Sequence, residues 1–388
     1  MSLNVLMVSD VFFPRINGVS TSMQTFRHAL LQHDIRVRIV APNYGNHGAE
    51  DDIVRVAGRP VPRDPEDRLV SWSAIRDTVH AEAKSADIIH IQTPFLAHYA
   101  GVRAARAHAL PVMATYHTLF EEYLRHYAPF IPANWLRAAA RRLSRTQGNA
   151  VDALVVPSLA MHQRLTEYGV QSALHVLPTG IPLQQFSKGD GAAFRVRHGI
   201  APDRPVALYV GRVAFEKNLD FLLDAFAIAQ RQRPDLLLLV TGEGPALANL
   251  RRQTEQLGLT EAVRFMGYMD RQGELLDCYA AAQVFSFSSR TETQGLVLLE
   301  AMALGVPVVA LAYMGTCDIL NPGQGCLVPE DDRTDFAAAL LRVINEPDLA
   351  RRLAEQARQF AHLWSDTAMA ERLAQLYHQQ VRAKRDPL

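Results

Sequence analysis

Short apolar segments alternate with helix-forming segments along nearly the whole chain, and the alternation stops once before it restarts. The first run opens with LNVLMV, the loop SDVFFPRINGVST, the helical SMQTFRHALLQH and the apolar IRVRIVAP. It continues through ADIIHIQ, HYAGVRAARAH, PVMATYH, DALVVPS, LAMHQRLTEYG and ALHVLP. The second run is VALYVGR, LDFLLDAFAIAQR, LLLLVTG, LANLRRQTEQLG, VRFMG, LLDCYAAA and QVFSFSS. Strands joined through helices cross over and lie parallel, and continuous apolar strands are those covered on both faces. Each run therefore reads as a doubly wound α/β domain. A chain of 388 residues is also too long for one ordinary core. The segment TGIPLQQFSKGDGAAFRVRHGIAPDRP is rich in Gly, Pro and polar residues and reads as the linker region. The expected domains are 1–185 and 186–365, with a final helix over about 366–388 assigned to the first.

Forty basic side chains balance forty acidic ones, so nothing points to nucleic acid as a partner. Cys278, Cys317 and Cys326 form no C-x-x-C or Cys/His cluster, which argues for a reducing compartment and against structural zinc. MSLNVLMVSDVFF lacks a basic start and has only a short apolar run, so it reads as a first strand rather than a signal peptide. No apolar run is long enough to span a bilayer, and the expected location is the cytoplasm.

The chemistry concentrates in Ser289 to Leu311, SRTETQGLVLLEAMALGVPVVAL. Gly295 opens a helix through about Ala303, Gly305 ends it in a left-handed turn, and Val308 to Leu311 is a buried strand. The amides of Gly295, Leu296 and Val297 lie where unpaired N–H groups attract a phosphate. Glu292 precedes the helix and Glu300 stands in its second turn; a carboxylate accepts two hydrogen bonds side by side, which suits a sugar diol. Alone, the stretch equally fits an amphipathic helix whose Glu300 is a surface charge.

Gly211, Arg212 and Lys217, in LYVGRVAFEKNLDFL, supply compensating cations in the loop after a strand, although Arg212 could simply pair with Glu216. No D-x-D triplet occurs, so a metal-bridged diphosphate lacks its simplest ligand pair. His117 ends the strand PVMATYH, where ligands approach a parallel sheet; its ring or carbonyl could hold a sugar hydroxyl, or it could be structural. Gly18 lies in the first loop, ahead of the helix, with the same ambiguity. Residues 134–148 form an amphipathic helix with Trp135, Leu136, Ala139 and Leu143 on one face. Arg137, Arg141 and Arg145 form a row on another, and Arg142 falls between. Such a helix fits an anionic lipid surface, or docks on its own domain with solvated arginines.

These residues together resemble the retaining GT-B glycosyltransferases of family 4. The carrying motif is E-x7-E, Glu292 to Glu300 followed by AMALGVPVVA. Support comes, in order, from NGV at Asn17, TYHT at Thr115, VVPS at Val155, PTGI at Pro178, VGR…EKN at Val210 and GEGP at Gly242. The resemblance implies two Rossmann-like domains facing a cleft, with a C-terminal helix crossing back to the first. It implies a nucleotide-sugar donor, with Glu300 on the ribose, Arg212 and Lys217 on the diphosphate, and Glu292 with the Gly295–Leu296 backbone on the sugar. Val297 and Gly211 fall within the same donor site. His117 would face the sugar, Gly18 would let its loop approach the phosphates, and Tyr268 would contact the base. Asn17, Tyr116, Tyr123 and Tyr127 fall on the acceptor side. Where the common form has Phe before the motif glycine, this chain has Gln294, and TETQGLV resembles enzymes that glycosylate membrane lipids.

The implied reaction retains anomeric configuration and uses no cofactor or metal. The expected donor is a UDP-sugar, glucose-like first, or GDP-mannose. The expected acceptor is a membrane lipid such as diacylglycerol or a phosphatidylinositol-like lipid, at the inner face of the cytoplasmic membrane. The alternatives are a soluble sugar or lipid-linked oligosaccharide acceptor, a nucleotide-sugar epimerase or hydrolase, and a non-catalytic sugar-nucleotide-binding regulator.

Overall fold

A computed structural model describes residues 2–45, 52–61, 64–117, 133–271 and 273–385. The chain divides into two compact units, one running to Gly180 and resuming at Asp366, the other Ile181–Ser365.

The first unit holds β1 (Leu3–Val8), β2 (Ile35–Pro42), β3 (Ile53–Val56), β4 (Gly58–Val61), β5 (Asp64–Val70), β6 (Ile88–Ile91), β7 (Val112–Thr115), β8 (Ala153–Val156) and β9 (Ala173–Val176). Seven of them form a parallel sheet in the order β3-β2-β1-β6-β7-β8-β9. The order reverses between β1 and β6, where Val5 pairs with both Val37 and Ile88. β4 and β5 make a separate antiparallel hairpin. The hairpin, β3 and the helix Trp72–Glu82 fall in a stretch to which the sequence reading assigned no elements. Arg, Pro and Asp interrupt the apolar pattern there, as in GRPV and DPEDRLV.

The first helix spans Gly18–Leu30 and so begins before the expected SMQTFRHALLQH. Asn17 is its N-cap, with extended backbone and a side-chain oxygen that accepts from the Ser20 N–H at 2.8 Å. Such a cap is worth about 1 kcal/mol. Gly18 is therefore in the first helical turn and not in the loop. The helix Asp366–Arg385 packs on this one, burying Met369, Leu373, Tyr377 and Val381 in the same core as Val5, Met7 and Ile39. Its Arg372 donates to the Val176 carbonyl at 2.7 Å.

The helix Ala133–Gly148 buries Leu136, Ala140, Ser144 and Gln147, while Trp135 and Ala139 are exposed. The expected apolar face was thus turned by about one residue. Polar groups set the true phase: the Ser144 and Tyr116 hydroxyls are 2.8 Å apart, and Gln147 Nε2 donates to the Pro94 carbonyl at 2.7 Å.

The second unit holds β10 (Val206–Val210), β11 (Leu237–Thr241), β12 (Val263–Gly267), β13 (Val284–Phe287), β14 (Val308–Ala310) and β15 (Cys326–Leu327). They form one parallel sheet in the order β12-β11-β10-β13-β14-β15. The segment read as a linker is largely folded into this unit. It contains the helix Gly191–Arg197, capped by Asp190, whose side chain accepts from the Ala193 N–H at 2.8 Å. A Cβ at Gly189 or Gly191 would lie 2.3 Å from the carbonyl oxygen of Leu276 or Ala280, so these glycines permit close packing on the helix Glu274–Ala281. Arg195 is buried and donates to the carbonyls of Ala281 (2.6 Å), Ala201 (2.9 Å) and Arg204 (2.8 Å) and to Gln283 Oε1 (2.9 Å). Composition suggested a linker where the glycines serve contact.

Candidate active site

In the second unit the strand order reverses between β10 and β13, and ligands bind at the carboxyl ends of strands where that happens. The loop after β10 carries Gly211, Arg212 and Lys217; the loop after β13 carries Glu292. Lys217 Nζ lies 2.5 Å from Glu292 Oε1, so the pair bridges the switch point. Ser288 Oγ donates to the Asn218 carbonyl at 2.8 Å, Asn218 Nδ2 donates to the Ser288 carbonyl at 3.0 Å, and the two loops are stitched together. The Glu292 carbonyl accepts from the Gly315 N–H at 2.8 Å, which fixes the backbone beneath the carboxylate. Gly211 donates its N–H to the Thr241 carbonyl at 3.0 Å. Arg212 projects outward, with its closest carboxylate, Glu216, at 4.0 Å. The pairing weighed against a phosphate role for Arg212 is therefore present, at the limit of contact.

Gly295 adopts φ +94°, which its lack of a side chain allows, and precedes the helix Leu296–Ala303. Among the described residues no side chain caps this helix, which leaves the N–H groups of Leu296 and Val297 to attract an anion. Gln294, just before Gly295, is buried. Glu300, one turn further on, is not a surface charge: its side chain is 3% exposed. It forms an ion pair with Arg271 and accepts from Tyr279 Oη at 3.0 Å. The Glu300 carboxylate raises the pKa of Arg271, and burial followed by Glu300 raises that of Tyr279. Neither partner was legible beforehand. Tyr279 sits among the apolar residues of LLDCYAAA and Arg271 in an ordinary polar loop. Tyr268 is exposed just after β12.

In the first unit His117 follows β7 and is half-buried against Gln92, which follows β6; His117 Nε2 and Gln92 Oε1 are 3.0 Å apart. Burial pushes the His117 pKa down to about 4, so the ring is neutral at physiological pH. Beneath it, His90 lies 2.6 Å from Tyr377 Oη and 2.7 Å from Thr115 Oγ1, with its pKa pushed down to about 3 by burial and then by His117. Asp10, after β1, accepts from Thr93 Oγ1 at 2.7 Å and the Ala97 N–H at 3.1 Å, and burial raises its pKa. Gln92, His90 and Asp10 escaped the sequence reading, although each lies on or next to a strand flanking the switch point.

Two acceptor-side expectations meet structural explanations. The Asn17 side chain is the helix cap described above. Tyr116 is buried with its hydroxyl on Ser144, so its phenol is part of the packing that seats the helix Ala133–Gly148 rather than an open contact surface. Tyr123 and Tyr127 lie outside the described residues. The residues expected to face a membrane are all exposed: Trp135 at 76%, with Arg137, Arg141, Arg142 and Arg145. Arg141 lies over the Tyr168 ring, and among the described residues Arg137, Arg142 and Arg145 form no ion pair.

The sequence matches the family described as "Glycosyltransferase Family 4" over residues 16–185 and "Glycosyl transferases group 1" over residues 191–360. It is 30% identical over 315 residues to the alpha-monoglucosyldiacylglycerol synthase of Streptococcus pneumoniae, covering 79% of this chain and 71% of that protein. The chain belongs to the family 4 glycosyltransferases. This glycosyltransferase is also 28% identical over 387 residues to a GDP-mannose-dependent alpha-(1-6)-phosphatidylinositol monomannoside mannosyltransferase of Mycolicibacterium smegmatis, covering 96% and 97% of the two chains. Among solved structures it resembles sucrose-phosphate synthase of Thermosynechococcus elongatus, with TM-score 0.78, 22% identity and coverage of 98% and 100%. Anabaena HepE in complex with UDP and glucose gives TM-score 0.78 at 17% identity, covering 97% and 99%. The glycosyltransferase thus has the GT-B architecture of two Rossmann-like α/β units.

Proposed function

We propose that this glycosyltransferase moves a hexose from a nucleotide sugar, UDP-glucose-like or GDP-mannose, to a membrane-lipid acceptor such as diacylglycerol, with retention and without a metal. The observation that carries the donor half is the Lys217–Glu292 pair across the switch point, beside an uncapped helix N-terminus. In this reading the diphosphate takes Lys217, Arg212 and the amides of Leu296 and Val297. Glu292 then accepts from hydroxyls of the sugar, and Glu300 from those of the ribose. Two cations and a helix N-terminus can balance leaving-group charge as a metal would. The neutral His117 ring, held by Gln92, suits a hydrogen bond to a sugar hydroxyl better than general-acid work at neutral pH. A leaving diphosphate oxygen takes the acceptor proton, and positioning supplies the remaining acceleration.

The acceptor half is supported by relatives whose names specify diacylglycerol and phosphatidylinositol glycolipids. The exposed arginine row with Trp135 suits the surface of an anionic membrane at the cytoplasmic face. Among the described residues no helix is long and apolar enough to cross a membrane.

The test is turnover of UDP-glucose and GDP-mannose with diacylglycerol or phosphatidylinositol in mixed micelles, with and without EDTA. Transfer of an α-linked hexose to lipid, unaffected by EDTA, is the expected result. Transfer only to soluble sugars would overturn the lipid assignment, and an inverted product the retention.

A further inference from the structure

Glu300 is engaged from two sides. Tyr279, fully buried, holds Oε2 from within the unit. Arg271 holds Oε1, and its side chain is 32% exposed against 3% for Glu300. A ligand arriving from solvent therefore meets Arg271 first, and only Arg271 has solvent to retreat into. We propose that Arg271 is an affinity-setting residue of the nucleotide site, whose guanidinium competes with the ribose hydroxyls of the donor for the Glu300 carboxylate. This rests on the ribose role of Glu300 proposed above and adds to it the group that ribose must replace.

The physical basis is the cost of an uncompensated buried charge. A carboxylate this enclosed is strongly penalised when a charged partner leaves. A nucleotide can take the place of Arg271 only by returning donors to the same oxygen, Oε1. Two neighbouring hydroxyls do so, whereas a deoxyribose cannot. The exchange therefore weakens only ligands that carry the diol, because a ligand without it leaves the Arg271–Glu300 pair closed. Tyr279 keeps the carboxylate rotamer in place throughout, which confines the exchange to the outer oxygen.

The experiment is calorimetric titration of UDP and 2′,3′-dideoxy-UDP into wild type, Arg271→Met and Arg271→Lys, with GDP and its dideoxy form in parallel. Folding of each variant is checked by its unfolding midpoint. The expected result is that Arg271→Met binds the ribonucleotide about tenfold more tightly, the scale of one charge-assisted contact no longer opposed. The dideoxy form should stay within about twofold, and Arg271→Lys should fall between wild type and Arg271→Met. Weaker or unchanged ribonucleotide binding by Arg271→Met overturns the proposal, because Arg271 would then brace Glu300 or touch the donor itself. If Arg271→Met too binds both forms equally, the ribose role of Glu300 fails, whereas a diol preference in Arg271→Met no larger than in wild type overturns the competition alone.

Discussion

Lys217 and Glu292 come from loops on opposite sides of the second unit's switch point, and their charged groups meet at 2.5 Å. Each is the other's counter-ion; in the proposed reading a donor parts them, its diphosphate replacing the carboxylate beside Lys217 and its sugar hydroxyls replacing the ammonium beside Glu292. Lys217→Ala should lower kcat by about 10²–10³, the scale for losing one preorganised charge at a developing anion. Glu292→Gln should also lose turnover, with a smaller effect on nucleotide affinity. Steady-state kinetics beside UDP or GDP titration checks both. Near-normal kcat in Lys217→Ala would remove Lys217 from the diphosphate.

Glu300→Ala removes the carboxylate proposed for the ribose and leaves Arg271 and Tyr279 facing an unfilled space. Nucleotide affinity should fall by about tenfold or more, since a hydrogen bond to a charged group contributes about 1.5–3 kcal/mol. Affinity equal to wild type by calorimetry would rule the contact out.

Replacing Arg137, Arg141, Arg142 and Arg145 together by alanine should release the protein from anionic liposomes in a flotation assay. All four are exposed, so stability should change little. Binding should weaken with salt in the wild type, because it is electrostatic. Equal flotation of variant and wild type would mean that this face does not contact lipid.

Arg195→Met should destabilise the second unit by about 3 kcal/mol, because several buried carbonyls lose their donor at once. Urea unfolding measures this directly. A loss below about 1 kcal/mol would mean that water replaces the guanidinium at little cost.

Acid should weaken the first unit through two histidines that desolvation holds neutral. His90 and His117 protonate only near 3 and near 4, while an unfolded histidine protonates near 6.5. Between those values the unfolded chain binds more protons, so stability is fully present above about pH 6.5 and falls as pH drops toward 4. His90→Gln should flatten the fall in unfolding temperature between pH 6.5 and 4.5. An unchanged slope would assign the acid sensitivity elsewhere.

The parts of this protein that announce themselves in sequence are those where one residue type has one physical reason to be there. The apolar strands of both sheets and the glycines at 295 and 305, both with positive φ, belong to that group. The meeting of Lys217 with Glu292 was only half visible: their loops could be placed, but not their 2.5 Å approach. What stayed hidden depends on distant neighbours. Arg271 and Tyr279 acquire meaning only from Glu300, and Gln92 only from His117. The helix Ala133–Gly148 was turned because Ser144 and Gln147 look solvent-facing until Tyr116 and Pro94 are brought beside them. Glycine marks a loop in composition, but at 189 and 191 it marks close packing on another helix.

The order of the chain also sets an order of assembly. The first unit is interrupted at Gly180 and completed only from Asp366 onward, and its buried His90 awaits the hydroxyl of Tyr377. A ribosome delivers every residue of the second unit before that hydroxyl exists. The half of the protein that begins first is therefore the half that finishes last, and until then the apolar surface of the helix Gly18–Leu30 that Leu373 and Tyr377 later cover stays open to whatever in the cell guards nascent chains.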